Sequence, residues 1–237
     1  MKEKIVLILM VAGILFLGNA FLERAEQPSV SAMGAGKDLP VVVIDAGHGG
    51  KDPGKVGINA ALEKDINLQI ALRLKKLLEQ NDVKAVLTRE EDKDLASEHA
   101  TNRKNEDLRA RANLISETSP VVMVSIHQNS FSEEDVDGAQ AFYYTGAEQG
   151  KLLGTMVQNS LKREIDDGNH RVAKANKEYY LLKKAVCPAV IVECGFLSNP
   201  AEAALLVTEE YQEKLAFAIH LGIMEYINTI ADTKQQK

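Results

Sequence analysis

The chain has 237 residues, 45% of them hydrophobic, which is enough for one well-filled core and too few for a second full domain. A net charge of −6 and no Lys/Arg block argue against nucleic acid or any other polyanion held by charge alone. Trp is absent and aromatics reach only 5%, so a cell-surface binding module built on aromatic sugar platforms is a weak alternative.

Lys2 and Lys4 precede an apolar run from Ile5 to Phe21, after which Glu23 and Arg24 appear. As a helix that run covers roughly 25 Å against a hydrocarbon core of about 30 Å, short for a permanent span. Gly18-Asn19-Ala20 offers a small-x-small cleavage site. Residues 1–21 are therefore read as a signal peptide, with an uncleaved N-terminal membrane anchor as the alternative. Either one exports the chain, leaving it secreted or held on the outer face of the cytoplasmic membrane, with the membrane touched only through this segment. Residues 22–38 are polar, contain Pro28, Gly34 and Gly36, and read as a linker.

Val41-Val42-Val43-Ile44 is β-branched throughout and reads as a strand over roughly 40–45, buried on both faces as in a parallel sheet. It ends in Asp45, a glycine turn, and His48 among glycines. A helix is expected from about Glu63, with Ile66, Ile70, Leu74, Leu77 and Leu78 at helical spacing, then a strand over Lys84–Thr88. Residues 90–107 are strongly charged with no apolar period and read as an exposed loop; a helix near 108–117 leads to a strand running from Val121 into His127-Gln128-Asn129. A strand over Gln140–Tyr144 and an amphipathic helix marked by Leu152, Leu153, Met156, Val157, Leu161 and Ile165 follow. Tyr179–Leu182 reads as a short strand, and Ala189–Val192 as a buried strand ending in Glu193-Cys194-Gly195. Pro200 sits as at a first helical position. A last helix is expected over roughly 209–228, with residues 231–237 as a polar, frayed tail. The alternation of strands and helices makes residues 39–230 a single α/β domain with a mostly parallel, twisted sheet flanked by helices.

Three apolar strands thus deliver His48, His127 and Glu193 to one rim, beyond the carboxyl ends of the strands where ligands gather in open α/β sheets. Imidazole and carboxylate are ordinary zinc ligands, and a catalytic zinc keeps three protein ligands and a water. His48 and His127 supply two. Glu63, opening a helix that faces the same rim, supplies a third, or is a first-turn acid favoured by the helix dipole. Glu193, at the end of a strongly apolar strand, is a general base and acid, the third ligand in place of Glu63, or an ordinary strand-end acid. Asp45 either orients a ligating histidine through its other ring nitrogen or caps the turn. Arg89 and Arg111 flank the rim, available to substrate carboxylates or to salt bridges with the surplus acids. His99, His170 and His220 fall in a charged loop, a polar stretch and a helix, and read as solvated or packed. Cys187 and Cys194 bracket a strand that extends about 23 Å, beyond the roughly 7 Å of a disulfide, and read as small buried apolar side chains.

Gly49-x-x-x-x-Gly54-Lys55 after a strand imitates a phosphate-binding loop, which makes nucleotide binding the alternative enzyme-class reading. Val56 stands where Ser/Thr is required, Pro53 removes a backbone N–H, and the helix begins too late.

Four stretches together resemble the zinc-dependent N-acetylmuramoyl-L-alanine amidases of the amidase-3 family: Val43 to Gly50, Glu63 opening a helix, Val124 to Asn129, and Pro188 to Asn199. The likeness covers residues 40–228 and implies a phosphorylase/hydrolase-like fold. It implies one catalytic Zn²⁺ held by His48, Glu63 and His127, with Glu193 as the catalytic acid/base. The implied reaction is hydrolysis of the amide between N-acetylmuramic acid and the L-alanine of the stem peptide in peptidoglycan: zinc activates water and polarises the oxyanion, and Glu193 passes the proton to the leaving amine. Gln128 and Ser116 depart from common residues of the family, a difference expected to touch substrate detail. The loop from Gln128 to Gly138 is too short for the regulatory helix some members insert. The compact form is similar to the spore-cortex and germination amidases, which implies a spore intermembrane location and placement by the N-terminus or an accessory protein.

Overall fold

The computed structural model describes residues 39–166 and 168–235; the expected signal peptide or anchor and the linker lie outside them. One six-stranded sheet organises the chain, in the order β2-β1-β3-β6-β4-β5. These strands are β1 (Val41–Ala46), β2 (Lys84–Leu87), β3 (Val122–Asn129), β4 (Gln140–Tyr144), β5 (Lys174–Asn176) and β6 (Ala189–Phe196). The helices are α1 (Glu63–Glu79), α2 (Arg103–Thr118), α3 (Glu148–Glu164), α4 (Tyr180–Lys184), α5 (Pro200–Leu206) and α6 (Glu209–Gln235). β2, β1, β3 and β6 run parallel, β4 pairs antiparallel with β6, and β5 follows β4 in parallel. The mostly parallel α/β domain read from the sequence is what folds.

Both faces of the sheet are covered, which is why the central strands carry apolar runs without alternation. On one face Val42, Ile44, Val124, Ile126, Val190 and Val192 pack under α1, α3 and α6. On the other, Val43, Met123, Phe142 and Ile191 meet Ile115 of α2 and Leu181 and Leu182 of α4. α3 and α6 approach so closely at Gly222 that a Cβ there would lie 2.5 Å from the Val157 Cα. Asn199 caps α5 through its side chain, with Pro200 in the first turn as read. Ten residues with no helix join β3 to β4, as the short Gln128–Gly138 loop implied.

Four boundaries differ from the sequence reading. α2 begins at Arg103, five residues before the expected start near 108, with Asn102 accepting from the Asn105 amide as its cap. Its inward positions are Asp107, Arg111 and Ile115, so a charged pair occupies the face where an apolar period would show. Tyr179–Leu182 is not a strand: α4 forms there, and the short strand is β5, a few residues earlier. The Asn176 side chain accepts from the Glu178 and Tyr179 amides and turns the chain out of β5. α6 continues through the expected tail to Gln235, with no Gly or Pro after Gly222 to stop it. β6 reaches Phe196, so Cys194 lies inside the strand. Both cysteines are free; Cys194 is buried as expected, whereas Cys187 is half-buried.

Candidate active site

The chain leaves β1 for β2 on one side and later returns to β3 on the other. The crevice between β1 and β3 is therefore a topological switch point, where open α/β sheets bind ligands. His48 lies just past β1 and His127 near the end of β3. Glu193 pairs in register with His127 across β3 and β6. Glu63 is the first residue of α1, whose N-terminus opens onto the same rim.

These side chains converge. His48 Nε2 lies 3.2 Å from Glu63 Oε2, and His127 Nδ1 lies 3.0 Å from Glu63 Oε1. The two rings meet edge to face with centroids 5.0 Å apart. One donor atom from each of the three residues falls within 4.8 Å of the others. Glu63 is 2% exposed and also accepts from the Gln128 amide at 3.0 Å and the Lys55 amide at 2.8 Å. Burial alone would favour its neutral form, but the bonds from His127 and His48 overcome this and hold the carboxyl well below the usual range. Burial likewise opposes charge on His127, yet the bond to Glu63 and the charges of Glu63, Glu193 and Asp45 raise it to about 9.

Two imidazoles and an ionised carboxylate suit zinc. The other nitrogen of His48 fits as well: its Nδ1 faces Asp52 Oδ2 at 2.9 Å, which fixes the tautomer and presents Nε2 to the site. Asp52 went unmarked in the sequence, although an acid four residues after a histidine in a glycine loop is a readable signal. Gly47 backs the His127 ring so tightly that a Cβ there would overlap it. At Gly54, with φ +67°, a side chain would be both strained and pressed against Glu63 and His48.

Asp45 takes neither role offered by the sequence. It lies beneath the loop, accepting from Arg111 at 2.7 Å, Thr88 at 2.8 Å and Ser125 at 2.5 Å. Burial would raise its carboxyl, but Arg111 and Ser125 win and lower it to about 2. Arg89 and Arg111 are 2% and 1% exposed and unavailable to substrate. Arg111 pairs with Asp45 and Asp107, and its remaining donors reach the Ala46 and His48 carbonyls. Arg89 donates to the carbonyls of Ala46, Gly47, Lys64 and Glu91. The two guanidiniums hold the backbone on which His48 sits at φ 63°, a left-handed conformation unusual for a residue with a side chain.

Glu193 stands apart from the three-donor cluster. It is 7% exposed, Tyr179 donates its hydroxyl to Oε1 at 3.0 Å, and Oε2 is buried with no partner among the described residues. Burial raises its affinity for a proton against the opposing charge of His127. A largely buried carboxylate lining a cavity is suited to taking up and returning a proton. The cavity measures about 600 Å³, and Lys55, Lys104, Leu108, Asn129 and Tyr180 line its walls. In the sequence Tyr179 was only the first residue of an expected short strand, with nothing in its surroundings to mark a role at the site.

Other expectations resolve simply. The Gly49–Lys55 loop makes no phosphate cradle: its Gly54 amide donates to Asp52, its Lys55 amide to Glu63, and α1 starts only at Glu63. The Gln128 side chain donates to Asn67 while the residue lines the cavity, and Ser116 is exposed about 18 Å along α2 from Lys104. His99 and His170 are exposed, and His220 is packed in α6.

Fold and site together define a single α/β domain with a metal-competent His/Glu/His cluster beside a buried acid. Residues 42–225 match the family model described as N-acetylmuramoyl-L-alanine amidase (Amidase_3), and the chain belongs to that family. It is 37% identical over 195 residues to the germination-specific N-acetylmuramoyl-L-alanine amidase of Bacillus subtilis (strain 168), covering 81% of each protein. The CwlD amidase from Clostridioides difficile, solved in complex with the GerS lipoprotein, superposes with a TM-score of 0.78 at 42% identity, over 80% of this chain and 99% of that one. An N-acetylmuramoyl-L-alanine amidase from Clostridium difficile 630 does so at 0.73 and 32%, over 81% and 98%. The activity is thus hydrolysis of the muramoyl–L-alanine amide of peptidoglycan.

Proposed function

We propose that His48, Glu63 and His127 hold a single catalytic zinc ion and that Glu193 is the acid/base of the amidase reaction. Zinc, when bound, acidifies a water and polarises the scissile carbonyl. Glu193 takes a proton from the attacking water and returns it to the amine nitrogen as the C–N bond breaks. The products are the lactyl carboxylic acid on the sugar, which ionises on release, and the free amino group of L-alanine. The observation that carries this reading is the division of labour in geometry: three donor atoms converge within 4.8 Å, while the fourth residue stands outside that cluster and keeps a buried oxygen without a partner among the described residues.

The setting follows the chain's similarity to the germination-specific relative. We place the enzyme outside the cytoplasmic membrane, acting on spore-cortex peptidoglycan, with residues 1–21 as export signal or anchor, 22–38 as linker and 39–230 as the catalytic domain. An accessory protein assists its placement or activation, a reading supported by the similar amidase solved with a lipoprotein. Mass spectrometry of the mature N-terminus distinguishes cleavage from anchoring.

The test combines metal analysis of the purified protein with release of L-alanine amino groups from peptidoglycan. One zinc per chain and chelator-sensitive release are expected. Glu193→Ala should keep its zinc and lose about 10²–10⁴-fold in turnover. Loss of zinc from that variant would move Glu193 into the ligand set and overturn the assignment.

A further inference from the structure

We infer that Tyr179 is a positioning residue for Glu193: its hydroxyl holds one carboxylate oxygen and so fixes the rotamer in which the acid lines the cleft. The inference rests on the acid/base role proposed for Glu193. The two oxygens of that carboxylate are not equivalent. Oε1 accepts from the Tyr179 hydroxyl at 3.0 Å, whereas Oε2 is buried with no partner among the described residues. A carboxylate at the end of a buried strand and free to rotate would present either oxygen, or neither, to the cleft. With the rotamer fixed by that bond, the Glu193 carboxylate takes the proton from water and returns it to the departing nitrogen. The proton count closes: water loses one proton to Glu193 and the amine gains it, with the tyrosine hydroxyl unchanged throughout.

Tyr179 is itself held on three sides. The Asn176 side chain accepts from its backbone amide at 3.0 Å and from that of Glu178 at 2.7 Å. Phe142 of β4 packs against its ring, centroids 5.6 Å apart at 77°. Its extended backbone immediately precedes α4, whose Leu181 and Leu182 are buried in the smaller of the two cores. The hydroxyl is therefore fixed from the sheet and from a helix at once, as a group that sets the rotamer of a second residue must be. Tyr179 lines the cavity with Glu193.

Steady-state kinetics on a soluble N-acetylmuramoyl-L-alanyl peptide test this, with Tyr179→Phe made in the full chain and in the Glu193→Ala background. Tyr179→Phe is expected to lower kcat by about 10–100-fold, the effect of losing a hydrogen bond to a charged group, with KM and zinc content unchanged. In the Glu193→Ala background the same change should alter the residual kcat by less than about twofold, because the effect passes through Glu193. Asn176→Ala, which keeps the hydroxyl but loosens the turn beneath it, should lower kcat in the same direction by a smaller factor. A Tyr179→Phe kcat within twofold of the parent overturns the inference. So does an equal loss in both backgrounds, which would give Tyr179 a role independent of Glu193. If Glu193→Ala alone leaves kcat unchanged, it is the acid/base reading that fails.

Discussion

The four site residues owe their geometry to neighbours that touch neither substrate nor metal. Gly47 shows this most sharply. It carries no functional group, yet its missing Cβ is the space the His127 ring occupies. Gly47→Ala should leave the fold intact and push that ring off its position beside Glu63. The expected result is a zinc affinity weakened by about 10–100-fold, the range seen when groups orienting a ligand are altered. Competition against a chelator measures the affinity, and circular dichroism checks that the fold is retained. His48 and His127 were legible as site residues because apolar strands ran straight into them. The choice between Glu63 and Glu193 for the metal was not legible from spacing. It turns on which carboxylate the two rings face in three dimensions; both face Glu63, the one that the family resemblance implied. Asp45 was misread for a related reason: the partners that bury it, Arg111, Thr88 and Ser125, come from three separate elements.

At the scale of elements, Asp45 is the pin that joins them. Through Arg111 it ties β1 to α2, through Ser125 to β3, and through Thr88 to the end of β2. The Asp45–Arg111 pair is 1% exposed on each side, so neither charge can be rescued by water if the other is removed. Asp45→Asn should cost about 3 kcal/mol near neutral pH by leaving the guanidinium short of a counter-charge. The carboxyl is held at about 2 against an ordinary 3.8, so its contribution is fully present above pH 3.8 and is lost as pH falls through about 2. The stability gap between parent and Asp45→Asn, followed by urea unfolding, should stay level above pH 5 and shrink by about 2 kcal/mol between pH 4 and pH 2. A gap insensitive to acid would mean the pair carries no such linkage. The same network explains why α2 began earlier than the sequence suggested: its inward face is Asp107 and Arg111, and apolar periodicity cannot mark a helix that buries a salt bridge. The central strands were legible because burial on both faces forces apolar residues at every position. β5, three residues long at the sheet edge, has no such requirement and left no pattern.

At the scale of the molecule, the proposed ligands belong to three elements whose ends meet at the rim. His48 follows β1, Glu63 opens α1, and His127 sits in β3. A metal held by all three closes the long connection from β1 through the Gly47–Leu62 loop to α1 and fastens both to the centre of the sheet. Metal bound only by the folded chain stabilises it by mass action, about 2.7 kcal/mol at a hundredfold excess over Kd. For a domain near 200 residues each kcal/mol moves Tm by about 2–4 °C, so saturating zinc should raise Tm of the chelated protein by about 5–10 °C. The increase should grow with zinc concentration and be absent in His127→Ala. Glu193→Ala, which keeps all three donors, should retain it. Scanning calorimetry on the three proteins with and without zinc separates the outcomes. A Tm unmoved by zinc in the parent, or moved equally in His127→Ala, would place the metal elsewhere or nowhere, and the convergence at the strand ends would need another explanation.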